Sequence, residues 1–466
     1  MSPSAISTIP ELVASILSHL YADDVMRIPS IQACMQVSRV WHEESRPLLF
    51  HKTVIVMNAT NEDAIRRRFL LFQELLSQDP RIAGYVQDFE LHVEGFSTHA
   101  SRRLNSQPDI LPFAKTLNQL RRFCFRVDWD SGMAVHWNLY IQEVQDAIRH
   151  LCRVPTLDTL QLRCTPLPHT LWCHNHQLRS LVVLGPILFD RSDEPTDNTL
   201  YAPLQRFVSS QYRAATPWGV TRAFQAYERP GLIQNIREAT FLLSVADTHQ
   251  VQSFLNALSS HSLSKLFVSV EHFTNRALHT SLNAINLSRQ TSLRTITLVF
   301  MSISDYLFSA FSPIIINTLS SLPVQHLEEV SVCITRVCQI DDPDGDDYAG
   351  HETFNPLDVG QEFDKIFNLS SFKRTEGTPP PILRRVKLHI RHACNREPLH
   401  PCSHNIGLYN AGEVGKYFEN LRNLQHTLDG FDFELVIEHV SIADSFVHIR
   451  ADMCVPGYLP HFDEED

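Results

Sequence analysis

The residues with the chemistry of zinc ligands lie near the end of the chain: Cys394, His400, Cys402 and His404, preceded by His389 and His392. The gap between the two cysteines is long, and Cys402 and His404 are closer together than paired zinc ligands usually are. A polar loop bounded by prolines explains the same residues. A zinc-stabilised loop is therefore a third-ranked hypothesis, and no cofactor is expected.

An acidic run places Asp342, Asp344 and Asp346 at the alternating spacing of calcium ligands. Calcium loops of the EF-hand type also need Gly at the sixth position and a bidentate carboxylate at the twelfth. Those positions hold Asp347 and Thr353. The run is interpreted as a solvated loop instead.

Motifs of catalysis are absent from the sequence. It contains no Gly-x-Ser-x-Gly elbow, no phosphate-binding Gly-rich loop and no His-Glu-x-x-His. The remaining Ser, His and Asp residues follow no pattern that would assemble a triad. We therefore expect no enzyme activity and name no catalytic residue.

The composition is that of an ordinary globular protein, with 43% hydrophobic and 20% charged residues in 466. The formal charge of −12, from 40 basic and 52 acidic residues, argues against binding of nucleic acid. Ten cysteines occur without a Cys-x-x-Cys, and neither a signal pattern nor a membrane-length apolar run is present. We expect protein partners, no membrane, and a cytoplasmic or nuclear location.

The elements that could position a binding surface begin with an amphipathic helix in the first twenty residues. Thr8 and Glu11 have the spacing of a capping box, and Pro10 is tolerated in a first helical turn. Residues three or four apart form one apolar stripe: Ile9, Leu12, Val13, Ile16, Leu17 and Leu20.

A second helix is predicted from a similar spacing, with Val37-Ser38-Arg39-Val40-Trp41 at its end. Its apolar residues are Ile28, Ile31, Cys34, Val37, Val40 and Trp41. Pro47–Phe50 then leads into Thr53–Val56, which is predicted to be extended. Three short helices are too little chain to bury their own apolar faces, so this region is predicted to dock onto another protein.

At these residues the chain resembles the F-box family. That family begins with a Leu-Pro-x-Glu-like helix, here Ile9-Pro10-Glu11-Leu12, and carries a Val-Cys/Ser-x-x-Trp signature, here Val37 to Trp41. The resemblance covers residues 1–56, with Ile9 in place of the usual Leu and a longer segment at Tyr21–Ser30. It implies that the helices bind the Skp-type adaptor of a cullin-RING ubiquitin ligase.

The resemblance also implies which residues contact the adaptor: Ile9, Pro10, Leu12, Ile16, Leu17, Val37 and Trp41. Part of this set must face the core of the helices themselves. Pro10 and Leu12 are the residues most expected to face outward.

A loose repeat follows, in which an apolar residue precedes two others at +3 and +5. This spacing is the signature of a leucine-rich-repeat strand, because the two later residues point inward together. The instances are Val86-Phe89-Leu91, Leu120-Phe123-Phe125, Leu157-Leu160-Leu162, Leu178-Leu181-Val183, Leu263-Leu266-Val268, Leu293-Ile296-Leu298, Leu327-Val330-Val332 and Leu383-Val386-Leu388, with weaker ones at Leu204-Phe207 and Ile236-Phe241.

Amphipathic helices are predicted between the strands, for example at Leu139–Leu151 and Gln250–Leu258. Successive strands start 21 to 56 residues apart, whereas regular leucine-rich repeats have about 20–29 residues. The fold class is therefore α/β, an N-terminal three-helix F-box-like module followed by an irregular leucine-rich-repeat-like strand-helix solenoid.

The predicted domains are the F-box-like adaptor-docking module at 1–56, a connecting helix within 57–80, the solenoid at 81–450 and an acidic tail at 451–466. An acidic and Pro-rich insertion at 341–381 interrupts the solenoid and contains a predicted helix, Gln361–Phe372. The last strand is predicted at Phe433–Ile437.

These features predict a substrate-recruiting subunit of a cullin-RING ubiquitin ligase. Its partners would be a Skp-type adaptor with its cullin scaffold and an unidentified target protein on the solenoid. Arg121, Arg122 and Arg126 are either ordinary solvated charges or contacts for an acidic or phosphorylated partner. The alternative function is a leucine-rich-repeat-like scaffold that binds partners without ubiquitin chemistry.

Overall fold

The structure is a computed structural model, and it describes residues 10–22, 27–57, 62–93, 97–106, 110–127, 137–163, 175–184, 204–210, 234–244, 248–272, 284–302, 314–324, 326–338, 363–367, 382–394, 418–427 and 430–441. Thr8 and Ile9, the acidic run at 341–347 and the Cys/His residues at 400–404 lie outside these ranges.

Helices and strands alternate along most of this chain. The helices are α1 (Pro10–Ala22), α2 (Arg27–Cys34), α3 (Arg39–His51), α4 (Glu62–Gln78), α5 (Arg81–Tyr85), α6 (Ser97–Asn105), α7 (Ile110–Thr116), α8 (Gln142–Cys152), α9 (Thr248–Ala257) and α10 (Glu419–Thr427), with shorter helical stretches at 314–320 and 363–366. The strands are β1 (Lys52–Met57), β2 (Asp88–Val93), β3 (Arg122–Val127), β4 (Thr159–Arg163), β5 (Ser180–Leu184), β6 (Arg206–Ser210), β7 (Glu238–Ser244), β8 (Lys265–His272), β9 (Thr295–Ser302), β10 (Glu329–Cys338), β11 (Arg385–Cys394) and β12 (Asp432–Ser441).

The chain divides into two compact units, one mainly Met1–Val208 and the other mainly Ile233–Asp466. Within each of the two units, the strands lie side by side in their order in the chain. In the first unit β1 to β5 pair in parallel, and in the second β7 to β12 do so. The predicted α/β class is therefore confirmed, with a parallel sheet.

The register of the sheet follows the +3/+5 spacing of the sequence. The +3 residues Phe89, Phe123, Leu160 and Leu181 lie opposite one another on successive strands of the first unit. In all eight predicted instances the +3 and +5 residues lie on a strand, the first residue lies two residues before that strand, and all three residues are buried. The two weaker instances likewise lead into strands, β6 and β7.

A shared backbone acceptor fixes where each strand begins. The Gln87 carbonyl accepts hydrogen bonds from the N–H groups of Arg121 (2.8 Å) and Arg122 (2.9 Å). The Arg121 carbonyl then accepts from Asp158 and Thr159, both at 2.9 Å. Equivalent pairs recur before β5, β6, β8, β9, β10 and β11. Because one carbonyl serves two donors, each strand starts at the same level as its neighbour.

The helices between strands bury the faces that their periodicity predicts. Val144, Ala147, Ile148 and Leu151 of α8 are at most 1% exposed, and α8 packs against α7. The predicted residues Val251, Phe254 and Leu255 of α9, and Leu258 directly after its end, are buried as well. The connecting helix also forms as α4, with Phe69 and Leu76 buried.

The boundary between the second and third N-terminal helices differs from the prediction. The segment Val37–Trp41 does not end a helix, because α2 stops at Cys34 and Ser38 begins α3. The Ser38 backbone is extended, and its side chain accepts a hydrogen bond from the Trp41 N–H at 3.5 Å. Trp41 therefore lies in the first turn of α3, since a serine N-cap satisfies donors that have no partner inside the helix.

The described residues of the predicted helix Gln361–Phe372 are 363–367, which begin as a helical turn. Asp364 is buried there, and its carboxylate accepts hydrogen bonds from the N–H groups of Asn420 (3.0 Å) and Leu421 (2.9 Å). This carboxylate caps α10 from a distant part of the sequence. Burial raises the pKa of Asp364 above its usual value.

The predicted last strand is confirmed as β12, which is longer than expected. The tail at 451–466 lies outside the described residues. Within the described residues no helix has the length and apolar character needed to cross a bilayer.

Candidate functional site

The N-terminal helices expose apolar side chains that the rest of the first unit does not cover. Leu12 and Ile16 of α1 are 39% and 36% exposed, Ile28 of α2 is 38% exposed, and Val37 is 60% exposed. Pro10 is exposed too. We call Pro10, Leu12, Ile16, Ile28 and Val37 the apolar set.

Two faces of α1 explain this exposure. Val13 and Leu17, four residues apart, are fully buried where α1 packs on α2 and α3. Leu12 and Ile16 are also four residues apart, so they share the next face of the same helix. The apolar stripe of α1 is wider than the surface that two short helices can cover.

The residues predicted to contact an adaptor divide between surface and core. Pro10, Leu12, Ile16 and Val37 are exposed. Leu17 has no exposed surface, so in this conformation it belongs to the core of the helices and cannot contact a partner. That outcome agrees with the expectation that part of the predicted set faces inward.

Trp41 is half-buried and packs within the helices. Its indole Nε1 and the Oγ of Ser45, one helical turn later on α3, are both buried without a hydrogen-bond partner. A buried donor without an acceptor costs free energy, so Trp41 contributes apolar packing at this position and not a polar contact.

Ion pairs join the N-terminal helices to the start of the repeats. Arg46 of α3 lies 2.7 Å from the Asp79 carboxylate, which also accepts a hydrogen bond from the Arg81 side chain at 3.0 Å. These hydrogen bonds, that of Arg81 first, hold the pKa of Asp79 well below its usual value. The end of α1 is also tied to α3, because Tyr21 Oη lies 3.0 Å from His51 Nδ1.

Other exposed apolar side chains lie further along the first unit. Leu70 and Leu71 of α4 are 46% and 63% exposed, and Val54 of β1 is 46% exposed. Sequence analysis did not single them out, because both leucines fall off the buried face of α4 that contains Phe69 and Leu76. They provide matched surface positions for testing the apolar set.

A second candidate region lies on the sheet of the first unit. The residues that alternate with the +3 and +5 positions form three rows across β2, β3 and β4: Asp88, Arg122 and Thr159; Glu90, Cys124 and Gln161; His92, Arg126 and Arg163. We call these nine residues the polar grid. Sequence analysis named only Arg122 and Arg126 of them, because the rows emerge only once the register of the strands is known.

The first row is largely neutralised by its own contacts. Arg122 Nη1 donates to Asp88 Oδ2 at 2.8 Å, and Arg122 Nη2 donates to Gln161 Oε1 at 2.9 Å in the second row. Arg121 lies beside the grid and is exposed. The third row holds two half-buried guanidinium groups, those of Arg126 and Arg163.

The cysteines near these regions are not activated thiols. Burial raises the pKa of Cys124 in the grid, and that of Cys152 on α8, to about 12. A thiol with such a pKa is not the thiolate that nucleophilic or metal-binding chemistry needs. Among the described residues, no three His, Cys, Asp or Glu side chains form a group that could hold a metal ion.

Comparison with known proteins adds no family to these observations. Neither a protein-family model nor a curated protein sequence matches this chain.

Proposed function

We propose that the chain is a substrate-recruiting subunit of a cullin-RING ubiquitin ligase. In this proposal residues 1–56 form an F-box-like module that binds the Skp-type adaptor, and the strand-helix repeats form a leucine-rich-repeat-like solenoid that binds the target. The observation that carries the proposal is the exposure of Pro10, Leu12, Ile16 and Val37 on the N-terminal helices.

The physical argument is the free energy of covering these side chains. Burying a large apolar side chain contributes about 1.5–3 kcal/mol when it is removed fully from water. Clustered exposed side chains of this kind mark protein interfaces more often than single ones do. Leu12 and Ile16 share one helix face, so one apolar partner surface can cover both.

The partner must be a protein with an apolar groove of its own. A stable interface buries about 1,200–2,000 Å² in total, which exceeds what two side chains on one helix provide. Ile28 on α2 and Val37 between α2 and α3 extend the apolar set beyond α1. We therefore assign contacts with the adaptor to the exposed members of the predicted set, with Ile28 added.

The mechanism of such a subunit is proximity. Holding the target and the ubiquitin-carrying enzyme in one complex converts a bimolecular encounter into an intramolecular one. Catalysis then belongs to other subunits. Each unit supplies a parallel sheet on which a target can be bound, because its successive strands are fixed in register.

Co-purification with a Skp-type adaptor tests the proposal. The wild-type chain is expected to retain the adaptor, and Leu12→Asp is expected to lose it without a change in melting temperature. Leu70→Asp is the matched control, because Leu70 is a similarly exposed helical leucine outside the apolar set.

Each result bears on the proposal directly. If the wild-type chain binds no adaptor, the ubiquitin-ligase function is wrong and the scaffold function replaces it. If Leu12→Asp and Leu70→Asp weaken adaptor binding equally, the adaptor does not dock on the apolar set.

A further inference from the structure

We infer that the open edge of strand β1 pairs with β1 of a second copy of this chain, so that two chains associate as a symmetric dimer. The contact is an antiparallel pair of strands centred on Val54. This interface goes beyond the proposed function and does not depend on it, because it uses none of the residues of the apolar set.

Strand β1 (Lys52–Met57) has one unpaired edge. It is the first strand of the first unit, and among the described residues it pairs with β2 alone. The Gln87 N–H donates to the His51 carbonyl at 3.0 Å, so the backbone group just before β1 points toward β2. Backbone groups alternate in direction along a strand, so the groups on the β2 side are those of every second residue, starting at Thr53.

The N–H and C=O groups of Lys52, Val54 and Val56 therefore point away from β2. Within the described part of the chain, no residue forms a hydrogen bond with the outward groups of Val54 and Val56. Val54 is also 46% exposed, so this edge is accessible from water. An accessible edge of this kind is a template on which another strand can pair.

This edge lacks the features that protect other edge strands from pairing. Such strands usually carry a central Lys, a Pro, a bulge or an inward-pointing charge. The segment Thr53–Met57 contains no charged residue, no Pro and no Gly, and the register of β1 with β2 is continuous. Four of its five residues are β-branched, the type that favours strand pairing.

The edge of β1 is complementary to a copy of itself. Two identical edges related by a two-fold axis run antiparallel, and their outward residues then meet in hydrogen-bonded pairs. With Val54 on the axis, it faces Val54 of the second copy, and Lys52 faces Val56. The two lysines lie at opposite ends of the pair, so no like charges face each other. A second copy therefore satisfies both the backbone groups and the side chains of this edge.

Helix α4 provides an apolar contact beside the paired strands. It packs on β1, and Phe69 and Phe72 on one side of it contact Phe113 of α7. Leu70 and Leu71 lie away from that side and are exposed. A terminal repeat normally has a polar outer face, because no further repeat covers it. In the dimer both α4 helices lie on the same face of the joined sheet, where these leucines approach those of the second copy.

The size of this contact predicts a weak, reversible dimer. The three outward residues of each copy form about six backbone hydrogen bonds in all. At one hydrogen bond per about 100–200 Å², the strand pair corresponds to about 600–1,200 Å² of interface. The α4 leucines bring this area toward the lower end of the range for stable interfaces, about 1,200–2,000 Å². Two-fold pairing uses both open edges, so we expect association to stop at two chains.

Analytical ultracentrifugation of the full chain over a wide range of protein concentration tests the inference. The average mass of the wild-type chain is expected to rise from that of one chain toward that of two. Val54→Lys is expected to weaken association about tenfold or more, because two lysines then face each other. Leu139→Lys is the matched control and is expected to leave association unchanged, because Leu139 is 48% exposed and lies outside β1.

A mixture of two charge variants tests the register. Val54→Glu alone is also expected to be monomeric, and mixing it with Val54→Lys is expected to restore the dimer, because opposite charges then meet on the axis. A mixture that stays monomeric would contradict the pairing of Val54 with its copy.

A proline variant covers the case in which Val54→Glu fails to fold, since Glu90 lies opposite Val54 on β2. Val54→Pro removes an outward N–H and leaves the hydrogen bonds to β2 in place. Circular dichroism is expected to show a folded chain, and ultracentrifugation a monomer. A folded Val54→Pro chain that still dimerises would overturn the inference.

Two further results would also overturn it. A wild-type chain that is monomeric at every concentration contradicts a second copy as the occupant of the edge. If that monomer binds a labelled peptide with the sequence of Lys52–Met57, the edge accepts a strand of another protein instead. Equal weakening by Val54→Lys and Leu139→Lys would show that the copies associate through another surface.

Discussion

Helices α1 and α8 share an apolar periodicity, but they differ in how much of the apolar stripe is buried. Both carry apolar residues three or four positions apart. On α8 that stripe is buried completely, whereas α1 buries Val13 and Leu17 and exposes Leu12 and Ile16. This difference shows that the apolar periodicity specifies a helix, whereas the number of neighbouring elements decides how much of the apolar stripe is buried.

The neighbours account for the contrast. Helix α8 packs against α6 and α7, and Ile148 and Leu151 reach the core. Helix α1 has contacts with α2 and α3, which are themselves short. The uncovered part of the α1 stripe is therefore available to another polypeptide, whereas that of α8 is not.

The largest expected effect comes from placing a charge in each stripe. Ile148→Asp in α8 puts a carboxylate into an apolar core, which costs several kcal/mol, and the first unit is expected to unfold. Ile16→Asp in α1 keeps its carboxylate in contact with water and loses only the covered part of the Ile16 side chain, so its expected cost is about 1–2 kcal/mol. Urea denaturation followed by circular dichroism measures both. Equal destabilisation by the two substitutions would contradict this difference between the helices, because it would mean that the apolar stripe of α1 is buried as fully as that of α8.

The sequence predicts the covered positions well because their burial depends on local pattern. Leu160 and Leu162 follow the +3/+5 spacing, and both lie on β4 in register with the neighbouring strands. Strand β1 is different, since its corresponding residues are Phe50, Thr53 and Ile55, and the central Thr interrupts the apolar pattern. Its pairing with β2 could not be found from that spacing.

Features that depend on register or on a single hydrogen bond were not predictable in the same way. The end of α2 was placed too late, because apolar spacing continues through Val37 and Val40 while Ser38 starts a new helix. The polar grid brings together residues from β2, β3 and β4 that are far apart in sequence. The exposure of Leu12 was expected, but its extent depends on how α2 and α3 pack.

A smaller effect is expected from removing apolar atoms from strands. Leu160→Ala in β4 creates a cavity in a fully buried row, and its expected cost is about 2–5 kcal/mol. Val54→Ala in the half-exposed strand β1 is the matched control, with an expected cost below about 1 kcal/mol. Thermal unfolding compares the two variants. A loss for Val54→Ala as large as that for Leu160→Ala would show that the exposed face of β1 is covered in solution.

Ion pairs allow the same comparison between positions that differ in burial. Asp88 and Arg122 form a largely buried ion pair on neighbouring strands. Arg122→Leu leaves the Asp88 carboxylate and the Gln161 amide without their common partner, at an expected cost of about 1–3 kcal/mol. Adding Asp88→Asn removes the charge and is expected to recover part of that loss. A double-mutant cycle measured by urea denaturation gives the coupling. Absence of coupling would contradict a stabilising contact between the two side chains.

The smallest effect is expected at the ion pairs of Asp79, which join α3 to α5 and one of which involves the largely exposed side chain of Arg81. Because Arg81 and Arg46 lower the pKa of Asp79 in the folded chain, ionised Asp79 stabilises the fold above the unfolded pKa of 3.8. That contribution is lost as the pH falls through the lower pKa of the folded state. Asp79→Asn is therefore expected to lower the melting temperature slightly at neutral pH, and the difference from wild type should shrink as the pH is lowered below 3.8. Raising the salt concentration should shrink it as well, since exposed pairs are screened. A difference that grows on acidification would reverse the sign of the argument and mean that Asp79 is held in its protonated form.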